Sequence, residues 1–332
     1  MSNAALYLLT VAIWGSTWLA IEFQLGVVAP EVSVFYRYLL AAALLFAWCV
    51  LRGRRLRFPP AAHLRFLLLG LTMFCLNYVL AYRAQVHVTS ALAAIAFSTM
   101  LWMNMVNARL FFGVRSEARA IVGSLLGVAG IAAIFLPEVE QLAWSDATLF
   151  GCLLALLGAL SASLGNMVSQ DAQRRRLPIV ESNAWGMAYG AALTGSLALL
   201  GGREFTIDYS PGYLLSLAYL SVFGSIVAFG AYLTLLGRIG AHKAGYAVVL
   251  FPVVAVALSV AFEGLALTPG LVGGVVLVLA GNVFVLRGRG RAVPAVAPAA
   301  PAPLLTAAAA SEPCREPVDG GAAGPRAPGI NG

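Results

Sequence analysis

Tyr82-Arg83-Ala84-Gln85, a polar break at Val86 to Ser90 and an apolar run from Ala91 to Leu110 open a segment that extends to Ile131 and is written twice in this chain. In the first copy a short basic loop follows, then the glycine-spaced run Gly123, Gly127, Gly130. The second copy reads Tyr232 to Leu236, breaks at Gly237 to Lys243, runs apolar from Ala244 to Phe262 and ends in Gly273, Gly274 and Gly281. An offset of about 151 residues superposes the two, with a one-residue slip between the paired runs. A repeat this long, made almost wholly of apolar spans, predicts a membrane protein built from two similar halves.

Composition agrees. Of 332 residues, 61% are hydrophobic and 11% charged, with mean hydropathy +0.87. Soluble domains carry roughly 25% charged residues, which excludes an aqueous fold. The net charge of +7 resides in arginines clustered between apolar runs, so it does not point to a nucleic-acid partner. Cys49, Cys75, Cys152 and Cys314 are scattered without pair or metal spacing, and three of them lie in apolar runs as small buried hydrophobes. The first apolar run lacks a basic n-region and a cleavage site, and reads as a retained helix.

A span needs about 20 apolar residues. Ten segments qualify: 4–22, 32–51, 65–84, 89–109, 119–136, 147–169, 182–201, 212–236, 244–262 and 268–287. The loop charges then set the orientation. With a cytoplasmic amino terminus, 18 of the 21 basic residues fall inside, in loops 52–65, 109–119, 174–176 and 238–243 and in the tail. Only Arg83 and Arg203 fall outside, and Arg37 lies within a span. The expected fold is therefore an all-α integral membrane protein of ten transmembrane helices in two inverted five-helix repeats, residues 1–137 and 138–287. Both termini are expected in the cytoplasm. The alanine- and proline-rich tail, 288–332, is expected to be disordered.

Several motifs in order resemble a drug/metabolite transporter of the EamA type over residues 4–287. They are Trp14-Gly15-Ser16-Thr17, Phe35-Tyr36-Arg37-Tyr38-Leu39-Leu40, the Thr89-Ser90-Ala91 region, Phe251-Pro252-Val253 and Glu263. Met100 stands where the first repeat would often have proline, and Val114 near its usual glutamate. The resemblance implies a central cavity lined mainly by helices one to four and six to nine.

The residues nominate its polar faces independently. On helix one, Tyr7, Thr10, Trp14 and Thr17 form a single stripe. Helix six offers Ser163, Asn166 and Gln170, and helix eight offers Ser221, Ser225, Phe229 and Tyr232. Asn77 and Tyr78 lie in mid-helix three, Asn104 and Asn107 on helix four, and Tyr246 on helix nine. For each residue the competing role is packing, since small and amide side chains hydrogen-bond between helices in lipid. Trp14 is the leading substrate contact, because it lies deeper than the interfacial belts where tryptophan collects. Arg37, costly in mid-membrane by about 2.5–3.5 kcal/mol on insertion scales, has Glu22 and Glu263 as candidate ion-pair partners in an outer gate. Pro252 removes a backbone donor and is expected to kink helix nine. Gly123, Gly127, Gly130, Gly273, Gly274 and Gly281 mark helices five and ten as closely packed scaffold that leaves either a monomer or a homodimer open.

No carboxylate stands in mid-span, no phosphate-binding glycine loop is present, and His63, His87 and His242 are isolated, so no cofactor and no metal are expected. The function these features predict is a secondary transporter, an exporter in the cytoplasmic membrane. It would move small metabolites, amino acids or amphiphilic compounds by alternating access, with lipid and a small solute as partners. The alternative is a membrane-embedded structural or lipid-handling protein. An enzyme would need a nucleophile, metal or acid–base pair at membrane depth, and the sequence offers none.

Overall fold

The computed structural model describes residues 1–88, 93, 96–115, 117–140, 145–251, 253–254, 257 and 268–286. The chain divides into Met1–Pro294 and Ala295–Gly332. The second unit lies outside the described residues, and so does the expectation about the tail.

Helices occupy the described parts of all ten expected spans, and no strand occurs among the described residues. They are α1 (Asn3–Glu22), α2 (Pro30–Leu51), α3 (Pro60–Gln85), α4 (Met100–Phe112) and α5 (Ala118–Glu140) in the first half. The second half holds α6 (Asp146–Arg174), α7 (Ile179–Leu200), α8 (Pro211–Ile239), α9 (Ala241–Ala244, continuing as 3-10 helix over Gly245–Leu250) and α10 (Pro269–Leu286). Five of them, α1, α2, α3, α6 and α8, are by themselves long and apolar enough to cross a membrane. Pro30, Pro60 and Pro211 stand in first turns, where a missing N–H costs nothing. Ser2, Ser145 and Ser210 cap α1, α6 and α8 by accepting from backbone N–H groups.

The duplication shows in backbone detail that hydropathy does not carry. The third helix of each half contains a π-helical stretch, Gly70–Leu76 in α3 and Leu220–Val227 in α8, about 150 residues apart. Each stretch offers a carbonyl to the first helix of the other half. The Trp14 indole of α1 donates to the Gly224 carbonyl at 3.0 Å, and the Ser161 hydroxyl of α6 donates to the Thr72 carbonyl at 2.8 Å. The Thr72 carbonyl also accepts the Asn77 N–H in the i→i+5 pattern of the π turn, so it serves two donors.

Helices α2 and α7 run antiparallel and are pinned at both ends by reciprocal ion pairs. Each ends in the same turn, in which glycine takes the left-handed conformation, Gly53 at φ +60° and Gly202 at φ +63°. The following arginine N–H then closes the helix, Arg54 onto the Cys49 carbonyl at 2.8 Å and Arg203 onto the Ala198 carbonyl at 2.9 Å. That geometry delivers each guanidinium to a buried glutamate in the first turn of the partner helix. Arg54 Nη1 lies 3.3 Å from Glu181 Oε1, and Arg203 Nε lies 3.9 Å from Glu31 Oε2. Arg83 also pairs with Glu31. The two basic residues assigned to the outside loops therefore converge on one carboxylate.

The glycines of α5 and α10 are used between these two helices. A Cβ on Gly130 would sit 2.6 Å from the Gly274 carbonyl oxygen, and one on Gly274 would sit 2.7 Å from that of Gly130. A Cβ on Gly281 would press on Gly123 and Gly127 in the same way, whereas Gly273 faces open space.

Candidate functional site

A cavity of about 90 Å³ lies among α1, α3, α6 and α8, bordered by Phe97, three residues before α4, by Met100 at its start, and by Val248 and Phe251 of the ninth span. A buried water needs roughly 10–15 Å³ on this measure, so the cavity has room for several waters or a small solute. The paired helices α2/α7 and α5/α10 contribute no lining residue.

Trp14 forms the centre of an aromatic cluster. Its ring lies 4.8 Å from Phe229 and 5.7 Å from Phe251, both edge-to-face, and 4.9 Å from Tyr232. The bond to Gly224 fixes the indole and satisfies its N–H, so what Trp14 presents to the cavity is ring surface. Opposite it stand Asn77 and Tyr78 of α3 and Asn166 of α6. Asn166 donates to Asn104 Oδ1 at 3.1 Å, which ties α6 to α4. Asn77 Oδ1 is buried without a hydrogen-bond partner, and the Tyr232 hydroxyl sits beside Asn166 without a well-formed bond. Buried polar atoms are satisfied in the great majority of cases, so orphans on a cavity wall are groups free for a polar solute.

Seven of the residues nominated from the sequence meet here: Trp14, Thr17, Asn77, Tyr78, Asn166, Phe229 and Tyr232. The others are placed elsewhere, for identifiable reasons. The stripe on α1 divides by depth. Tyr7 donates to Asn282 of α10, and Thr10, fully buried, donates to the Leu6 carbonyl at 2.8 Å. Tyr246 donates to the Ala120 carbonyl of α5 and belongs to the cluster between α5 and α10. Asn104 stands behind Asn166, and Ser163 accepts from Asn107 at 2.9 Å. Arg37 and Ser225 lie behind Tyr78, joined to each other at 2.9 Å.

One pairing is corrected. Glu22 does not meet Arg37, because the end of α1 leaves its carboxylate exposed while the guanidinium turns inward to Ser225 of α8. Pro252, Glu263 and the Thr89-Ser90-Ala91 region lie outside the described residues. Sequence reasoning missed the apolar wall, Met73, Phe97, Met100 and Val248, because these side chains look the same whether they face a cavity or a neighbouring helix. Among the described residues no three His, Cys, Asp or Glu groups gather closely enough to hold a metal ion.

The profile of the EamA-like transporter family matches residues 1–136 and 149–287. The chain belongs to the EamA-like transporter family. Among its relatives is an uncharacterized inner membrane transporter of Escherichia coli strain K12, YedA, 30% identical over 255 residues, which are 76% of this chain and 80% of that one. Another is a probable amino-acid metabolite efflux pump of Salmonella typhimurium, 27% identical over 297 residues, 86% of this chain and 95% of that one. A solved crystal structure aligns with a TM-score of 0.71 at 18% identity, covering 85% of this chain and 96% of its own, which shows the shared fold. This EamA-like chain is thus an all-α integral membrane protein among transporters, and its cavity lies between elements contributed by both halves.

Proposed function

We propose that this chain is a secondary carrier that exports a small neutral or zwitterionic metabolite, of the size and kind of an amino acid, across the cytoplasmic membrane. The observation that carries the reading is the cavity itself: it is walled by both repeats, ringed by aromatic side chains, and holds the Asn166–Tyr232 pair and an Asn77 Oδ1 that has no partner among the described residues. Such a site suits a solute with a few polar groups and an apolar remainder. An amide oxygen at Asn77 is an acceptor for an ammonium group. The relative named a probable amino-acid metabolite efflux pump supports this substrate class and the outward direction. Alternating access would follow from rocking one repeat against the other around the cavity. The distribution of 18 basic residues against two supports cytoplasmic termini.

Counterflow in proteoliposomes tests the proposal. Liposomes loaded with an unlabelled mixture of amino acids should accumulate the corresponding labelled solute transiently, and protein-free liposomes should not. Equal, non-saturable leakage in both would contradict it.

A further inference from the structure

Three charged side chains among the described residues are at least nine-tenths buried: Glu31, Arg37 and Glu181. The two glutamates have arginine partners. Arg37 is fully buried and meets no carboxylate among the described residues. Its Nε donates to Ser225 Oγ at 2.9 Å, while Nη1 and Nη2 make no hydrogen bond of good geometry. The Tyr82 hydroxyl donates to Gln24 Oε1 at 3.0 Å and turns its oxygen, a neutral acceptor, toward the fork. Aromatic faces cover the rest, with the guanidinium carbon 4.5 Å from the centre of Tyr78 and 5.4 Å from that of Tyr38.

Arginine does not shed its proton in proteins, and an isolated buried charge is strongly unfavourable unless an opposite charge joins it. The fork also lies close to the cavity. Nη2 lies 3.1 Å, and Thr17 Cγ2 of the cavity wall 3.2 Å, from the point where a Cβ on Gly224 would be. Leu220 Cδ2 lies 3.5 Å from the same point, so the guanidinium is packed directly behind the cavity wall formed by Thr17 and Tyr78. Two parallel N–H donors in a plane match the two oxygens of a carboxylate.

We propose that Arg37 is the anchoring subsite for the carboxylate of the transported solute, reached from the cavity when the wall of Thr17 and Tyr78 parts. The solute class is then small carboxylates, amino acids included, with the remainder of the molecule held against Trp14 and Tyr78. This assignment rests on the carrier reading above and narrows it. The Ser225 bond positions the fork, and Gly224 leaves it room, since a Cβ there would lie 3.1 Å from Nη2.

The experiment titrates the purified full chain with L-threonine, L-leucine and L-phenylalanine and with their carboxamides, reading binding by thermal shift. The carboxamides keep the ammonium and side chain and lose only the anion. Acids should bind about tenfold to a hundredfold more tightly than their amides. Arg37→Gln should remove that preference, Arg37→Lys should keep part of it, and Gly224→Ala should weaken the acids selectively. If Arg37→Gln does not fold, the wild-type acid–amide comparison and Gly224→Ala decide. Equal binding of acids and amides overturns the subsite and leaves the carrier reading standing. Failure of both series to bind overturns the subsite together with the amino-acid reading.

Discussion

The indole N–H of Trp14 donates to the carbonyl of Gly224, 3.0 Å away across the two halves of the chain. The bond joins the residue at the centre of the aromatic cluster to a backbone acceptor within the π stretch of α8. It places the ring at the cavity and prevents it from turning away.

Trp14→Phe removes the donor and keeps most of the ring. The lost bond should cost about 1 kcal/mol of stability, and transport should survive with a changed KM. Trp14→Ala removes ring and donor together and should cost about 3–5 kcal/mol. Transport should then be lost or become unselective while the protein still inserts. Counterflow on the two variants in parallel checks this; equal transport by wild type and Trp14→Ala would count against a solute contact.

The α5–α10 contact yields a prediction about position. Gly130→Ala drives a methyl into the Gly274 carbonyl, with backbone on both sides, and should destabilise by about 1–3 kcal/mol. Gly273→Ala, one residue from Gly274, meets open space and should be close to neutral. Thermal unfolding in detergent should separate the two, and equal shifts would contradict the intramolecular role of these glycines.

The clamps at the ends of α2 and α7 should not be equal. Glu31 has two arginine partners, with Arg203 at the 3.9 Å limit, so Arg203→Gln should have little effect. Among the described residues Glu181 has Arg54 alone, and its second oxygen has no partner, so Arg54→Gln leaves a buried carboxylate uncompensated. Arg54 is 42% exposed at its side chain, and water screens part of the pair, which holds the expected loss to about 1 kcal/mol. Adding Glu181→Gln should recover part of that loss. Additive effects in this double-mutant cycle would show that the two groups do not interact.

How much of this could be read from the sequence depends on range. The helices were legible because hydropathy and loop charge are local properties. Cavity residues were legible as helical stripes, yet periodicity places Thr10 and Thr17 on one face and says nothing of depth. Only tertiary packing shows that Thr10 bonds to its own helix while Thr17 meets the cavity. The π stretches left no pattern in composition, since they express how α3 and α8 fit against α6 and α1. The Arg54–Glu181 pair joins residues 127 apart, and Glu22 was the nearer but wrong partner for Arg37 because sequence does not tell which way a side chain turns at a helix end.

The two threonines also supply the most direct test of the central claim, that solute passes through the cavity walled by Trp14, Thr17 and Asn77. Thr17→Cys and Thr10→Cys are near-isosteric changes on one face of α1, made in a variant without Cys49, Cys75, Cys152 and Cys314. A small charged thiol reagent should label the cysteine at position 17, and a transported amino acid should slow that labelling, whereas the one at position 10 should stay unreactive. Equal labelling at both positions, or none at position 17 with or without solute, would contradict the account.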